Sequence, residues 1–593
     1  MSDNPDGPVL GVAASVTGRA WRRRLGADGE RTALALAQRH AMPEVAARVL
    51  AGRGVTLDNA ETELSPTIRS LLPDPSTLTD CDALVARLAD AIAAGTRITL
   101  FADYDVDGAT SAAVAARTLG AYGAPVRIMI PDRVSDGYGP SVPLMQQLAA
   151  EGTELVLCLD CGSGASEPIA AAKDAGMAVL VIDHHPVNAL APADAIVNPN
   201  RADDLSGLGH CAAVGVTFVT MVGLAREMRR RGAAGGPDLM ALLDCVALGT
   251  VADVVPLSAL NRAFVRGGLI AFRRRANRGL AALTAAARIG GPVDAQHLGY
   301  VLGPRINAGG RIGQSDLGAR LLVTEDEAEA VELASLLDRL NQERRTIEQR
   351  ALEEALAHAD ESGTVVVVAG GWHPGVVGLV AARLKERTRR PAIAIALGEE
   401  SGTGSGRSIK GVDLGAAIRA AVDEGLLVKG GGHPMAAGLT VAREGIAALS
   451  AFLDARLADE VAAAVAADRL DIDALVGLGA MDEPLAATLA GHGPWGSGRA
   501  KPVFALEGVV LDEVQPVGAG DSLRLSVRAL DGARRTAMAF RTGGPLGARL
   551  RAARGQMLHL AVELSHGVFR GEPRAEIIVV DAAEVTGAMR RAA

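Results

Sequence analysis

The chain has 593 residues, of which 49% are hydrophobic and 22% charged, enough apolar material for roughly two to four domains with buried cores. A net charge of −9 excludes a uniformly basic nucleic-acid coat, so any polyanion contact has to come from local patches. The five scattered cysteines form no disulfide framework, and no apolar run reaches the length of about 18 residues needed to span a membrane.

The opening residues, MSDNPDGPVLGVAAS, lack the basic-then-apolar order of a secretory signal, so a cytoplasmic location is expected. Residues 30–70 read as short helices punctuated by Gly and Pro, and LLPDPSTLTD reads as a connector. Residues 81–94 have helical apolar spacing. From residue 98 the pattern becomes β-α-β, with apolar runs at 98–101, 126–130, 155–159 and 178–182 separated by helical stretches. That alternation predicts a parallel sheet covered on both faces. Ligands of such sheets collect at the carboxyl ends of the strands. The first run leads into Asp103, Asp105 and Asp107, the third into Asp160 and the fourth into Asp183. Parallel strands would bring all these acids to one edge.

A mostly helical region follows, about 205–320. It includes a helix running into a loop with Asp253, and GPRINAGGR at 303–311, which reads as a Gly-punctuated loop bearing Arg305 and Arg311. Residues 325–360 contain no Gly or Pro and predict one long helix, or two joined end to end. A second α/β unit has apolar runs at 365–369 and 391–397 around WHPGVVGLVAARL, and ends in GGGHPMAAG at 430–438, read as a Gly-rich loop. Beyond about residue 470, short alternating runs such as LRLSVRAL and MLHLAVEL predict a small barrel. Residues 485–593 carry 14 Arg plus Lys against 10 Asp plus Glu, a local +4 that favours polyanion contact at this end.

The chemistry concentrates around DHH at 183–185. A lone imidazole at a strand end would belong to a core network. Two adjacent ones, on the same predicted edge as Asp160 and the Asp105/Asp107 pair, point to a cation, because crowded carboxylates repel unless something neutralises them. Carboxylate and imidazole together suit Mn2+ or Mg2+. So many acids allow two ions to share one carboxylate, the usual apparatus for in-line attack at phosphorus. Cys158 and Cys161 form a CxxC, but Cys158 lies inside an apolar run and reads as packing.

DYDVDG, LDCG, DHH and TVADVVP, in this order, resemble the four motifs of the DHH phosphoesterase superfamily. GGGHPMAAG resembles the signature of its associated domain. GPRINAGGR, GWHPGVVG and GSGRSI resemble one branch, the RecJ single-strand-DNA-specific 5′→3′ exonucleases. The resemblance implies an α/β architecture. Residues 1–75 would be an N-terminal helical segment and 76–325 a DHH catalytic domain. A connecting helix, 326–360, would lead to a DHH-associated domain at 361–465 and an OB-fold barrel at 466–593. It implies two divalent ions, Mn2+ or Mg2+. Asp105 would ligate the first and Asp107 the second, Asp160 would bridge them, and His184 and Asp253 would complete the second. His185 would sit by the scissile phosphate, Asp183 would orient an imidazole, and Asp103 would support the ligands. Phe101 stands where many superfamily members have a further His ligand. Nucleic-acid or phosphate contacts would come from Arg305, Asn307, Arg311, His373, Ser405, Arg407, Gly431, Gly432 and His433. Expected partners are single-stranded DNA, a single-strand-binding protein and a helicase, for a monomer acting in DNA repair and recombination with no membrane contact. Two alternatives remain: a DHH phosphodiesterase for oligoribonucleotides or cyclic dinucleotides, usually shorter and without a barrel, and a non-catalytic single-strand-binding scaffold, which intact acids argue against.

Overall fold

Five short, mostly apolar runs form the sheet on which the acids stand: β1 (Ile98–Ala102), β2 (Val126–Met129), β3 (Leu155–Leu159), β4 (Ala178–Ile182) and β5 (Ala195–Val197). They pair in the order β2-β1-β3-β4-β5, every pair parallel. All residues of β1 and β3 are buried, as expected of strands with helices on both faces. Pleating sends Leu100 and Ala102 to one core and Phe101 to the other, where it packs with Met145 and Cys158. The three-residue β5 was not anticipated, because AIV is too short to show a periodicity. The computed structural model describes residues 7–585, apart from 134, 361, 519–520 and 570–571.

Helix α1 (Val106–Ala121) returns from β1 across the sheet and is buried along nearly its whole length. Helices α2 (Ala213–Arg230) and α3 (Leu243–Ala252) pack on it, and α4 (Ala259–Arg274) packs on α3. GPRINAGGR is not a loop but the helix α5 (Gly303–Ile312). Pro304 sits in its first turn, where the missing N–H is not needed. Its glycines serve close approach rather than turning: a Cβ on Gly310 would lie 2.9 Å from the Tyr104 carbonyl oxygen. The Gly-free stretch is one 32-residue helix, α6 (Glu327–His358), whose N-cap Asp326 accepts from the Ala328 and Glu329 amides.

The second sheet contains β6 (Val366–Gly370), β7 (Ala392–Leu397), β8 (Ser401–Arg407), β9 (Lys429–His433) and β10 (Ala436–Ala442), in the order β9-β10-β8-β7-β6. Only β6 and β7 run parallel. GGGHPMAAG is therefore a hairpin, not a loop: β9 and β10 pair from Lys429 opposite Thr440 to His433 opposite Ala436. Gly432 has φ +153°, and a Cβ there would meet the Ala436 carbonyl at 2.3 Å. Glycine density, which usually signals turns, here lets strands and helices lie unusually close.

The chain divides into two compact units. One is Pro66–Val461 with Gly496–Gly498 and contains both sheets. The other joins the residues up to Ser65 with Ala462–Trp495 and those from Arg499 onward. Its barrel strands are β11 (Val503–Val517), β12 (Ser522–Arg528), β13 (Arg534–Phe540), β14 (Met557–Phe569) and β15 (Glu572–Glu584). They run β11-β12-β13-β15-β14, and β11 pairs with β14 to close the ring. The N-terminal strand Ala20–Arg23 lies parallel to Arg469–Ile472, and the buried Trp21 indole donates to Asp581 at 3.2 Å. The N-terminal residues thus belong to the core of this unit. Among the described residues no helix is long and apolar enough to cross a membrane.

Gly108, in the first turn of α1, touches the strand-to-helix loop so closely that a Cβ would sit 2.2 Å from the Asp103 carbonyl oxygen. Gly108→Ala is expected to lower stability by about 1–3 kcal/mol, the usual cost of overpacking. A urea midpoint equal to that of the unsubstituted chain would show that the loop yields freely.

Candidate metal centre

Each acid is set in place by the backbone that delivers it. Asp103 continues the β1 ladder, its amide donating to the Leu159 carbonyl at 3.2 Å. Asp105 caps α1, accepting from the Asp107 and Gly108 amides at 2.8 and 3.1 Å. The Asp107 carboxylate is held by the Ala213 and Val214 amides at 2.7 and 2.9 Å, at the N-terminal end of α2, where the helix dipole favours an anion. Asp160 follows β3 in the left-handed region, φ +62°, an unusual backbone for a residue other than glycine and one that often marks a working site. Asp183 follows β4 and accepts from the His184 amide at 2.7 Å, the His185 amide at 3.1 Å and the His185 ring at 2.8 Å. Asp253 terminates α3.

These groups converge. His184 Nε2 lies 3.4 Å from Asp160, 3.7 Å from Asp253 and 3.8 Å from Asp107. Its Nδ1 lies 3.0 Å from the Cys211 carbonyl, which puts the ring proton on Nδ1 and leaves the Nε2 lone pair facing the three carboxylates. Three overlapping sets each bring their ligand atoms within 4.8 Å of one another: Asp103, Asp105 and Asp160; Asp107, His184 and Asp253; Asp160, His184 and His185. Asp160 belongs to two of them. Oδ1 of Asp160 and Oδ1 of Asp103 are buried without a hydrogen-bond partner among the described residues. Orphaned carboxylate oxygens are costly, and a hard divalent cation is what an oxygen and imidazole donor set of this kind fits.

The protonation equilibria carry the same message. Burial, then the charge of Asp105, pushes the Asp107 carboxyl up to about 7. Burial, then Asp107 and Asp105, pushes Asp253 up to about 9. Burial also raises Asp103 and Asp160 well above the usual range, with neighbouring carboxylates adding to it. Asp183 behaves oppositely: burial opposes its ionisation, but the hydrogen bond and charge of His185 hold it down to about 2. His185 is raised in turn, because the Asp183 hydrogen bond outweighs burial. One tight ion pair therefore stands beside a set of acids that pair with no arginine or lysine among the described residues.

Basic groups face the acids. Arg311 is half-buried, and desolvation lowers its pKa to about 9, with Arg133, Arg344 and Arg407 adding to that lowering by repulsion. Its guanidinium donates to the Gly375 carbonyl of the WHPG segment at 3.0 Å. Arg407 donates to Ser405 Oγ at 2.9 Å, and Gly378 lies against both, a Cβ there falling 3.0 Å from the guanidinium. His373 accepts from the Gly375 amide at 3.0 Å. Arg305 is committed elsewhere, to Asp338 of α6 at 2.9 Å and the Val301 carbonyl at 2.7 Å. Asn307 is half-buried on α5, Gly431 is half-buried, and Gly432 and His433 are exposed at the hairpin end of β9. Phe101 is fully buried in its apolar cluster, away from solvent. Cys158 and Cys161 are buried free thiols, both raised by burial.

Four participants escaped sequence reasoning. Tyr138 donates its hydroxyl to the Asp160 carbonyl at 3.1 Å and lies edge-on to the His185 ring. Arg133 stacks over Tyr104, 4.7 Å from its centroid. Asn198 and Asn200 donate to the backbone carbonyls of His185 and His184 at 2.9 and 2.5 Å. The DGYGP turn and the NPN that follows β5 were the available signals.

Three family models match the chain: the DHH family N-terminal domain over 97–250, the DHHA1 domain over 360–459 and the RecJ OB domain over 472–581. The single-stranded-DNA-specific exonuclease RecJ of Salmonella typhimurium is 36% identical over 513 residues, covering 81% of this chain and 88% of that one. RecJ of Escherichia coli is 35% identical with the same coverage. The crystal structure of RecJ in complex with Mn2+ from Thermus thermophilus superposes with a TM-score of 0.79 at 29% identity, covering 96% of this chain and 80% of that one. The sheet edge with Asp103, Asp105, Asp107, Asp160, Asp183, His184 and His185 lies within the first matched domain and most of the closed barrel within the third, and the chain belongs to the RecJ family of single-stranded-DNA-specific exonucleases.

Proposed function

We propose that the chain is a metal-dependent 5′→3′ exonuclease that removes 5′-mononucleotides from single-stranded DNA. The observation that carries this reading is the meeting of two opposite sets of groups: buried carboxylates at Asp103 and Asp160 with oxygens unpartnered among the described residues, and the arginines Arg133 and Arg311 beside them, with Arg407 next to those arginines. One set fits divalent cations and the other a phosphate-bearing strand.

Asp105, Asp107, Asp160, His184 and Asp253 would hold two ions, Mn2+ or Mg2+, with Asp160 shared. Such ions supply Lewis-acid activation of water and neutralise charge on the phosphoryl oxygens. The remaining work falls to the protein. Cys211 fixes the His184 tautomer through Nδ1. Asp183 orients His185 and favours its protonated form, so an imidazolium stands ready to stabilise charge developing on the scissile phosphate. Ser405 and Arg407 would grip the terminal 5′ phosphate, since a guanidinium can engage a phosphate through two hydrogen bonds. Attack by water on the next phosphorus expels the 3′ oxygen of the terminal nucleotide and leaves a new 5′ phosphate on the strand. The family resemblance supports action as a monomer in the cytoplasm, in DNA repair and recombination, with a helicase and a single-strand-binding protein supplying and covering the strand.

Asp160→Ala should lower turnover on end-labelled single-stranded DNA by more than the roughly 10–100-fold that the loss of an outer-shell partner costs. Comparable turnover with unchanged circular dichroism would remove Asp160 from the site.

Arg407→Ala should weaken the preference for 5′-phosphorylated over 5′-hydroxyl strands about ten- to hundredfold, the equivalent of a lost charged hydrogen bond of about 1.5–3 kcal/mol. An unchanged ratio between the two substrates would assign the 5′ end to other residues.

Asp107 and Asp253 titrate near 7 and 9 in the folded chain, above the ordinary carboxylate value of 3.8. A carboxyl raised on folding contributes stability that is full below its unfolded pKa and is lost as pH climbs through the folded one. Without divalent cations, Tm is therefore expected to fall between pH 6 and pH 9, roughly the window of these two groups. Added Mg2+ should raise Tm more at the alkaline end than at the acid end. Equal Mg2+ shifts across the range would show that these carboxylates do not receive the ion.

A further inference from the structure

Away from the metal centre, a cavity of about 220 Å³ opens between the first turn of α3, the end of α4 and the helix Arg278–Ala286. It lies at the opposite end of α3 from Asp253, roughly 13 Å along the helix axis at 1.5 Å per residue. Phe272, Leu280 and Val293 supply its apolar surface. Asp244 also lines it, only 3% exposed. The Cys245 amide donates to Asp244 at 2.7 Å, and the Cys245 thiol adds a weak donor. Among the described residues no arginine or lysine forms an ion pair with Asp244. The neighbouring polar groups of the wall are committed: Asn277 Nδ2 donates to the Leu322 carbonyl at 3.1 Å and its Oδ1 accepts from the Leu280 amide at 3.0 Å, while the Thr284 hydroxyl donates to the Leu280 carbonyl at 2.7 Å. Asp244 is thus the acceptor left for a guest. Burial pushes its carboxyl up to about 6, which shows what the poorly partnered charge costs.

The rim has the opposite charge. Arg273 and Arg275 line the cavity, are exposed, and have no ion pair among the described residues. They would repel a simple amine or other cation. A guest that suits this arrangement has a hydrogen-bond donor at one end, a flat apolar body and an anion at the other. The size is sufficient for a ring system, since an apolar cavity of about 150 Å³ accepts benzene.

We propose that this cavity is a second nucleotide site, binding a free nucleoside 5′-monophosphate whose base carries an exocyclic amine. The amine of adenine or cytosine donates to Asp244, the base packs against Phe272 and Leu280, and the phosphate meets Arg273 and Arg275. Thymine presents a carbonyl where cytosine has its amine, and is repelled by the carboxylate. The site is separate from the proposed phosphate grip at Ser405 and Arg407 and does not depend on it.

The test is equilibrium dialysis of labelled dAMP, dCMP and dTMP against the full chain in EDTA, with Arg407→Ala as the control for the phosphate grip. The expected result is saturable binding of about one dAMP or dCMP per chain that survives Arg407→Ala. Reversing the charge of an exposed rim residue, Arg273→Glu or Arg275→Glu, should weaken it about tenfold or more, the loss of one charge-assisted hydrogen bond. dTMP should bind about tenfold more weakly than dCMP to the unsubstituted chain, a comparison that needs no variant to fold. Absence of saturable binding, loss of binding in Arg407→Ala, indifference to both charge reversals, or equal affinity for dTMP would each overturn the proposal.

Discussion

Repulsion among carboxylates buried at one sheet edge is the constraint on which the architecture turns. Parallel pairing of β1, β3 and β4 forces Asp103, Asp160 and Asp183 onto the same side, and no change of register can separate them without moving the core. The fold relieves only part of the strain. The N-terminal end of α2 holds Asp107, and His185 neutralises Asp183. Asp103 and Asp160 keep an oxygen without a hydrogen-bond partner among the described residues. A fold selected for stability alone would place apolar or paired residues there. Leaving these oxygens unsatisfied makes sense where a cation completes them, and the cation then couples folding free energy to metal binding.

The second sheet answers the first in charge. Arg407 stands on β8, and Arg311, at the end of α5, is fastened to the WHPG segment after β6 through Gly375. The glycines of this segment keep the backbones close: a Cβ on Gly375 would lie 2.3 Å from the Arg311 carbonyl. Both arginines are largely removed from water, which lowers their pKa yet also strengthens any contact they make with a phosphate. Desolvated arginines opposite desolvated acids suit a strand that brings a negative backbone to cations held on the other wall. Helix α6 joins the two sheets within one compact unit.

The two ends of helix α3 place their acids in contrasting surroundings. At its C-terminus, Asp253 faces other acids. At its N-terminus, Asp244 is buried beside a cavity instead of a partner. The dipole favours a carboxylate at the first end of a helix and disfavours one at the last, so Asp253 has a second reason, beyond its neighbours, to need a cation.

The sequence by itself determined the catalytic sheet and its acids. β1, β3 and β4 are short, almost wholly apolar runs separated by helical stretches, and that alternation is what marks a parallel sheet. The motifs around Asp105, Asp160 and His184 also stood out, because several charged residues following parallel strands gather at one sheet edge, and Asp253 stood out by its resemblance to a family motif. Local pattern failed where glycine was dense. GPRINAGGR and GGGHPMAAG read as loops, since glycine usually marks turns, yet they form a helix and a hairpin whose glycines admit the backbones of Tyr104 and Ala436. β5 was too short to announce itself. Packing between distant segments set which ring nitrogen of His184 faces the acids, that Arg305 pairs with Asp338 while Arg311 lies near Asp105, and that Tyr138 reaches the Asp160 backbone. These are contacts between residues far apart in the chain, and no spacing along the sequence encodes a distance that only packing sets.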